Sequence, residues 1–364
     1  MKIPTNRLDR PFLKQQHQFE EAALRVLRSG WYVLGKEVAS FEDEFKQYIG
    51  ASHCVGLASG LDALWIATRL LGIGPGDEVI VQANAYIACV MGITINGAEP
   101  VFVEPDEYYQ IDVSKIASAI TSKTKAVMVV HLYGQTADMG AIMKIAKKHN
   151  LYVLEDCAQS HGSKQGEIAS GNFGDVGCFS FYPSKNLGAF GDAGAVTCGS
   201  ESLAEEFKVF RNYGSEKRYH NRIVGTNSRL DELQAALLRT RLSFLDQLNQ
   251  ERQETCERYL AGITHDMIRL PKVRPGCTSV WHQFVIQIDN RARFIEYLNR
   301  HEIGSIIHYP IPPHLAEAYE YLGHGLGDFP ITEQYADTIL SLPLYNGMTI
   351  EEQEYVIKVI NNYG

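Results

Sequence analysis

Four polar side chains with catalytic potential follow apolar segments midway along the chain. Asp156 and Gln159 come after one such segment, and Ser180 stands near the end of the next. Lys185 follows in a loop rich in glycine. In parallel α/β sheets, ligands bind outside the carboxyl ends of the strands. The positions of these four side chains therefore predict a ligand site at that edge of a sheet.

An acid and a lysine beside a phosphate pocket suit the chemistry of pyridoxal 5'-phosphate (PLP). Its aldehyde forms a Schiff base with a lysine amine, and its pyridine nitrogen stays protonated only where a carboxylate faces it. A lysine desolvated in such a pocket has a lowered pKa and can act as a base. We therefore predict a PLP site at Lys185 and Asp156. The alternatives are a surface lysine in a flexible loop and an aspartate that caps a helix.

The phosphate and the ring of PLP each need a further partner. The turn Ala58-Ser59-Gly60 precedes a helical pattern, so it offers a helix N-terminus, a hydroxyl and a close backbone approach at Gly60. Tyr86 follows the apolar segment 78–82 and is expected to stack on the ring, although it could equally be a core residue. A helix cap and a phosphate ligand use the same geometry, so both interpretations of Ser59 remain open.

Apolar periodicity predicts the elements that position these residues. Helical spacing marks 59–71 and 138–150, and short apolar runs mark strands at 78–82, 126–131, 151–154, 176–181 and 195–198. Strands that alternate with helices predict an α/β fold with a largely parallel sheet flanked by helices. A long helical pattern follows from residue 232 to about 260. We place a boundary near residue 245, between a large domain at 1–245 and a smaller α+β domain at 246–364.

Composition excludes several classes of protein. The 364 residues are 45% hydrophobic and 21% charged, which is typical of a globular protein rather than a disordered or collagen-like chain. A formal net charge of -9 argues against nucleic acid as a partner. No apolar run is long enough to span a membrane, and residues 1–10 lack the apolar region of a secretory signal.

Cysteine and histidine usage predicts no metal site. The seven cysteines are scattered without a C-x-x-C pair, which favours reduced thiols in a cytoplasmic protein. His308 and His314 flank a proline-rich stretch and lack a third ligand nearby. The glycines at 72–76 follow a helix and precede a strand, the reverse of the order in a dinucleotide-binding loop.

The sequence resembles the sugar-nucleotide aminotransferases, a family of fold-type I PLP enzymes. Seven segments carry the resemblance. They occur in the family's order and extend across about two-thirds of the chain. Their occurrence together is far more specific than any single match. They are GWYVLGKEVASFEDEF (30–45), ASGLDAL (58–64), VHLYGQ (130–135), LEDCAQSHG (154–162), SFYPSKNLGAFGDAGA (180–195), RNYGS (211–215) and GTNSRLDELQAA (225–236). The resemblance implies a large domain built on a mostly parallel sheet of the seven-stranded type, flanked by helices, and a smaller α+β C-terminal domain.

The resemblance also implies a role for each matching residue. Lys185 is the Schiff-base lysine and Asp156 the partner of the pyridine nitrogen, while Gln159 contacts the ring hydroxyl and Tyr86 stacks on the ring. Three further residues hold the phosphate: Ser59, Gly60 and Ser180. Asn227 reaches the phosphate in the neighbouring subunit, although it could instead shape a turn. The expected assembly is a homodimer with shared active sites.

The segment after Lys185 is most similar to the subgroup that aminates C3 of a hexose. We therefore expect a dTDP-linked 3-keto-6-deoxyhexose as acceptor, L-glutamate as donor and a dTDP-3-amino-3,6-dideoxyhexose as product. Tyr182 and Tyr309 are candidate sugar contacts; Lys217, Arg218 and Arg229 are candidate pyrophosphate ligands, with a solvated charge run as the alternative for the first two. Amination at C4, a UDP-linked acceptor and a PLP-binding regulatory protein without turnover remain the other hypotheses.

Overall fold

A computed structural model describes all residues, 1–364, with helices and strands alternating over the first two-thirds of the chain. The thirteen α-helices are α1 (Asp9–Lys14), α2 (Gln16–Ser29), α3 (Lys36–Ile49), α4 (Gly60–Leu70), α5 (Ile87–Thr94), α6 (Val113–Ala119), α7 (Met139–His149), α8 (Glu201–Phe210), α9 (Glu232–Leu242), α10 (Leu245–Gly262), α11 (Arg291–Arg300), α12 (Pro330–Thr338) and α13 (Ile350–Asn361). Short 3-10 turns occur at Leu132–Gly134, Pro313–Leu315 and Glu317–Leu322.

Thirteen strands form one large sheet and three two-stranded ones. They are β1 (His53–Leu57), β2 (Glu78–Gln82), β3 (Glu99–Val103), β4 (Thr124–Val130), β5 (Tyr152–Asp156), β6 (Lys164–Gln165), β7 (Ile168–Ala169), β8 (Val176–Ser180), β9 (Gly194–Cys198), β10 (Ser215–Lys217), β11 (His220–Asn221), β12 (Phe284–Gln287) and β13 (Ile339–Leu342).

The large sheet has seven strands in the order β1-β9-β8-β5-β4-β2-β3. The pairs from β8 to β3 are all parallel, while β9 runs antiparallel to both of its neighbours. The central strands are buried almost throughout because helices cover both faces, as their continuous apolar sequences require. The predicted α/β fold with a mostly parallel sheet is therefore confirmed.

The C-terminal part has its own core. Strands β12 and β13 pair antiparallel, and a cluster of buried apolar side chains lies between them and the helices α10, α11 and α13. Ile3 belongs to that cluster, and Arg10 forms an ion pair with Glu352, so the first residues of the chain pack against the last. The division into 1–245 and 246–364 remains a prediction.

One predicted element differs from the structure. The helical pattern from residue 232 to about 260 suggested one long helix, but the chain forms two, α9 and α10. Phe244 separates them with a φ of -113°, outside the helical range. Neither proline nor glycine marks the break, so the pattern carried no signal for it. No helix of the structure combines the length and the apolar character needed to cross a membrane.

Candidate active site

A cavity of about 380 Å³ opens at the carboxyl ends of β4, β5 and β8. This volume lies in the range that binds cofactors and small substrates. Nine of the thirteen predicted site residues line it, although their separation in sequence reaches 250 positions. They are Ser59, Gly60, Tyr86, Asp156, Gln159, Ser180, Tyr182, Lys185 and Tyr309.

Asp156 is the last residue of β5 and its carboxylate is held from two sides. Oδ1 accepts a hydrogen bond from the backbone N–H of Ala158 at 2.9 Å. Oδ2 accepts one from the thiol of Cys89 at 2.9 Å. Burial raises the pKa of Cys89 well above its ordinary value, so the thiol keeps the proton that it donates. The carboxylate therefore has a fixed orientation at the base of the cavity.

Lys185 belongs to the loop between β8 and β9, where its backbone N–H donates to Tyr182 O at 2.8 Å. Burial lowers the pKa of its amine below the ordinary 10.5, and the carboxylate of Asp156 opposes part of this shift. No other lysine and no arginine lines the cavity. The lysine amine is thus the single strongly basic group available for chemistry there.

The N-terminus of α4 meets the ends of β8 and β9 at very close range. Ser59 caps the helix, with its Oγ accepting from the backbone N–H of Asp62 at 3.1 Å. A Cβ added at Gly60 would lie 2.4 Å from Ser180 Cβ, and one at Gly194 would lie 2.3 Å from Ser59 O. Glycine is required at both positions for this approach. A helix N-terminus and two hydroxyls that converge on a cavity form a site for a phosphate.

Gln159 connects two aromatic residues across the cavity. Its Oε1 accepts the backbone N–H of Tyr133 at 2.7 Å, and its Nε2 donates to Tyr309 Oη at 3.2 Å. The ring of Tyr309 also packs against that of Tyr86, with centroids 4.9 Å apart. Tyr133 has a left-handed φ of 61°, which points its hydroxyl at the carbonyl of His308. Aromatic and amide groups therefore close one wall of the cavity.

His282 lines the same cavity and was not predicted. Asn186 Nδ2 donates to Asn249 Oδ1 and to Val280 O, both at 2.8 Å, so Asn186 Oδ1 must be the acceptor at its other end. His282 Nδ1 lies 3.1 Å from that oxygen and therefore donates to it. Burial keeps the pKa of His282 well below its ordinary value, so the ring is neutral and its Nε2 carries a lone pair.

Three other lining residues were also missed as part of this site. They are Gln283, Asp192 and His308. Burial lowers the pKa of His308 to about 4. From the sequence, His308 is considered only as a metal ligand, and that role is rejected. Nothing local marks His282, because its partner Asn186 is 96 positions away.

Four predicted residues lie outside the cavity. Asn227, Lys217 and Arg218 are exposed. Lys217 is the last residue of β10, and Arg218 follows it in the hairpin of β10 and β11. Arg229 is half-buried, where its guanidinium donates to Asn212 Oδ1 at 3.0 Å and lies over the ring of Tyr213. Within one chain, none of these four reaches the cavity. Their roles as phosphate or pyrophosphate ligands stay predictions.

The cavity fits PLP on three observations. A buried carboxylate and a buried amine line it together, the phosphate cradle is one that any Cβ at Gly60 would fill, and aromatic rings form one wall. Lys185, Asp156 and the cradle would hold the aldehyde, the ring nitrogen and the phosphate respectively.

Comparison with known proteins gives consistent matches over nearly the whole chain. The DegT/DnrJ/EryC1/StrS aminotransferase family matches residues 14–361. A relative from Aneurinibacillus thermoaerophilus, dTDP-3-amino-3,6-dideoxy-alpha-D-galactopyranose transaminase, is 50% identical over 97% of both chains.

Two solved structures have the same fold. DesV from S. venezuelae, in complex with a ketimine intermediate, has a TM-score of 0.97 and 42% identity, covering 99% of this chain and 98% of its own. NtdA from Bacillus subtilis, with bound cofactor PMP, has a TM-score of 0.92 and 31% identity, covering 99% and 84%.

The phosphate cradle predicts the effect of one added methyl group. In Gly60→Ala, the new Cβ would collide with Ser180 and force the cradle open. We expect PLP affinity, measured by fluorescence titration of the apoenzyme, to fall by at least about tenfold, equivalent to about 1.4 kcal/mol. The matched control is Gly199→Ala, where no atom lies within 4 Å of the new Cβ. An affinity unchanged in Gly60→Ala would contradict the cradle.

The buried amine predicts a shifted titration. Because burial lowers the pKa of Lys185, we expect the amine of the apoenzyme to become reactive at a pH below the ordinary 10.5. Competitive labelling with acetic anhydride, read by peptide mass spectrometry across pH, gives the midpoint, and the exposed Lys115 controls for the reagent. Asp156→Asn removes the charge that raises the pKa, so the midpoint should fall further. A midpoint at or above 10.5 would refute the burial argument.

Proposed function

This chain belongs to the DegT/DnrJ/EryC1/StrS aminotransferase family, and we propose that it transfers the amino group of L-glutamate to C3 of a dTDP-linked 3-keto-6-deoxyhexose. The chain is a PLP-dependent sugar aminotransferase. The name of the relative that is 50% identical supports both the dTDP group and the C3 position. The products are 2-oxoglutarate and a dTDP-3-amino-3,6-dideoxyhexose.

The observation that carries the proposal is the presence of Lys185 and Asp156 in one cavity with a phosphate cradle. Transamination needs a base that can also bond an aldehyde, and a carboxylate that keeps a ring nitrogen protonated. The cavity contains one residue of each kind.

PLP and the residues of the chain supply different parts of the chemistry. When bound, PLP withdraws electrons from the carbon that carries the amino group, so that its proton becomes removable. Lys185 accepts that proton at Nζ and returns it to a neighbouring carbon, and the lowering of its pKa by burial favours the neutral amine that this role requires. Asp156 holds a proton at the ring nitrogen, and Cys89 fixes the carboxylate that does so. In the second half of the cycle, the keto-sugar enters and Lys185 moves protons in the reverse order.

His282 helps Lys185 by remaining neutral. A second cation beside the amine would disfavour its protonated form, and a titrating histidine would make that effect depend on pH. The burial that lowers the pKa of His282 prevents this, and Asn186 fixes Nδ1 as the donor of the neutral ring. The Nε2 lone pair is left as an acceptor on the cavity wall.

We further propose that the working unit is a homodimer with shared sites. PLP and a sugar nucleotide together carry three phosphates, yet Lys185 is the only lysine or arginine in the cavity. Lys217, Arg218 and Arg229, with Asn227, lie outside it and suit the cavity of a second copy. Large exposed apolar side chains support an interface; they include Trp31, Tyr32, Phe190, Tyr213, Tyr219 and Val224.

We also propose a cytoplasmic location for the enzyme. All seven cysteines are free thiols, and six of them are buried. Unpaired cysteines in this number are typical of a reducing compartment.

Product analysis tests the substrate proposal. With glutamate and a dTDP-3-keto-6-deoxyhexose, we expect 2-oxoglutarate and a sugar whose NMR spectrum shows the amine on C3. Lys185→Ala should abolish turnover, whereas Lys115→Ala, at an exposed lysine of α6, should not. Amination at C4, or turnover of UDP-linked keto-sugars alone, would replace the proposal with the corresponding alternative. No turnover of any keto-sugar by protein that binds PLP would overturn it.

Mixed dimers test the shared site. Lys185→Ala removes the base from a subunit's own cavity, while Asn227→Asp would place a negative charge against the partner's phosphate. Each variant alone should be nearly inactive. After co-expression, half of the dimers are mixed and each contains one intact site, so activity should recover to about a quarter of the unaltered enzyme. Mixtures no more active than the sum of the two variants would contradict a site built from both chains.

A further inference from the structure

A second, much smaller cavity lies behind the loop that carries Lys185. Its volume is about 20 Å³, room for one water molecule or one small ion. Four cationic side chains line it: Arg7, Lys185, Arg241 and Arg252. No acidic residue lines it. The proposed transamination makes no use of this cavity.

Arg241 and Arg252 are both buried, at 7% and 4% exposure. Burial lowers the pKa of each to about 10, so both guanidinium groups are still protonated at neutral pH. Arg7 differs, because it is only half-buried and pairs with Asp9. The buried pair therefore brings two positive charges to the cavity.

Neither buried arginine is neutralised within the chain. Arg241 donates from Nη1 to Gly188 O at 2.7 Å, and its guanidinium lies over the ring of Phe190. Arg252 donates to three neutral oxygens, from Nε to Asn346 Oδ1 and from Nη1 to two backbone carbonyls. Burial lowers the pKa of Arg252, and the charge of Glu251 opposes part of this shift. The carboxylate of Glu251 forms its ion pair with Lys14, however, at 2.8 Å from Nζ.

Each arginine keeps a free donor. The hydrogen bonds use Nη1 of Arg241 and both Nε and Nη1 of Arg252, so the Nη2 group of each has no acceptor in the chain. A guanidinium has five N–H donors and no acceptor, so only an acceptor can satisfy the ones that remain. An isolated buried charge costs several kcal/mol, and a neutral water molecule satisfies a donor without balancing the charge.

We propose that this cavity is a binding site for a small monovalent anion of the halide class, with chloride as the physiological occupant. A halide supplies the missing negative charge and accepts N–H donors from several directions. The volume favours a single-atom ion, because a carboxylate or a phosphate also needs room for its other atoms. This site and the cofactor cavity share two lining residues, Ser184 and Lys185.

Halide replacement in the holoenzyme tests the proposal. Thermal unfolding is followed at one protein concentration while potassium gluconate is replaced stepwise by potassium chloride or bromide at constant ionic strength. Binding to the folded state should raise the melting temperature with either halide, in proportion to the logarithm of the halide concentration once this exceeds the dissociation constant. A melting temperature that does not depend on the anion would overturn the proposal. It would point to water or to a carboxylate of a second chain in the cavity.

A variant and its control locate the effect. Arg241→Gln removes one charge and its free donor, so the halide concentration needed for a given rise in melting temperature should increase at least about tenfold. Arg239→Gln is on the same helix and loses ion pairs with Glu37 and Glu44, but should leave the halide response unchanged. Equal responses in the two variants would contradict the assigned position.

Crystals of the unaltered protein grown with bromide keep the test independent of whether Arg241→Gln folds. Bromide has an anomalous signal, and we expect a peak within hydrogen-bonding distance of Arg241 and Arg252. Crystals without a peak at that place would exclude the site.

Discussion

The burial of one lysine amine beside one carboxylate is the constraint on which the rest of the structure depends. A buried charge is costly unless its surroundings are arranged for it, so Lys185 and Asp156 need elements that hold them from several directions. The end of β5 supplies the carboxylate, and Cys89 from α5 fixes it with a thiol hydrogen bond. The loop after β8 supplies the amine. Parallel neighbours end at the same edge, so a sheet of this topology brings the two together.

The same constraint explains how an acidic protein binds anionic ligands. With a net charge of -9, the chain offers no broad positive surface to attract phosphates. The cavity instead uses oriented donors, namely the N-terminus of α4 and the hydroxyls of Ser59 and Ser180. The proposed homodimer would add Lys217, Arg218 and Arg229 of a second chain to these donors.

Much of this arrangement could be predicted from local sequence. Strand β2 occupies the predicted residues 78–82, because a short apolar run bounded by polar residues defines a buried strand without help from distant contacts. Helix α7 lies between the capping residues Asp138 and Asn150, as its pattern indicated. Nine of the predicted site residues line one cavity because each follows a strand or begins a helix at the same edge of the sheet.

What could not be predicted depends on contacts between distant parts of the chain. Asn186 sets the tautomer of His282 from 96 positions away, and Cys89 reaches Asp156 from 67. Phe244 interrupts the predicted long helix with a φ of -113°, although neither proline nor glycine marks the break. The free donors of Arg241 and Arg252 become visible only when every acceptor around them is known.

We propose that Lys185, and no other residue, bonds PLP. Treating the holoenzyme with sodium borohydride makes the bond between a lysine and PLP permanent, and peptide mass spectrometry then locates it. The account predicts one PLP-derived mass per chain, on the peptide that contains Lys185. An adduct on another lysine, or PLP released intact after reduction, would contradict it.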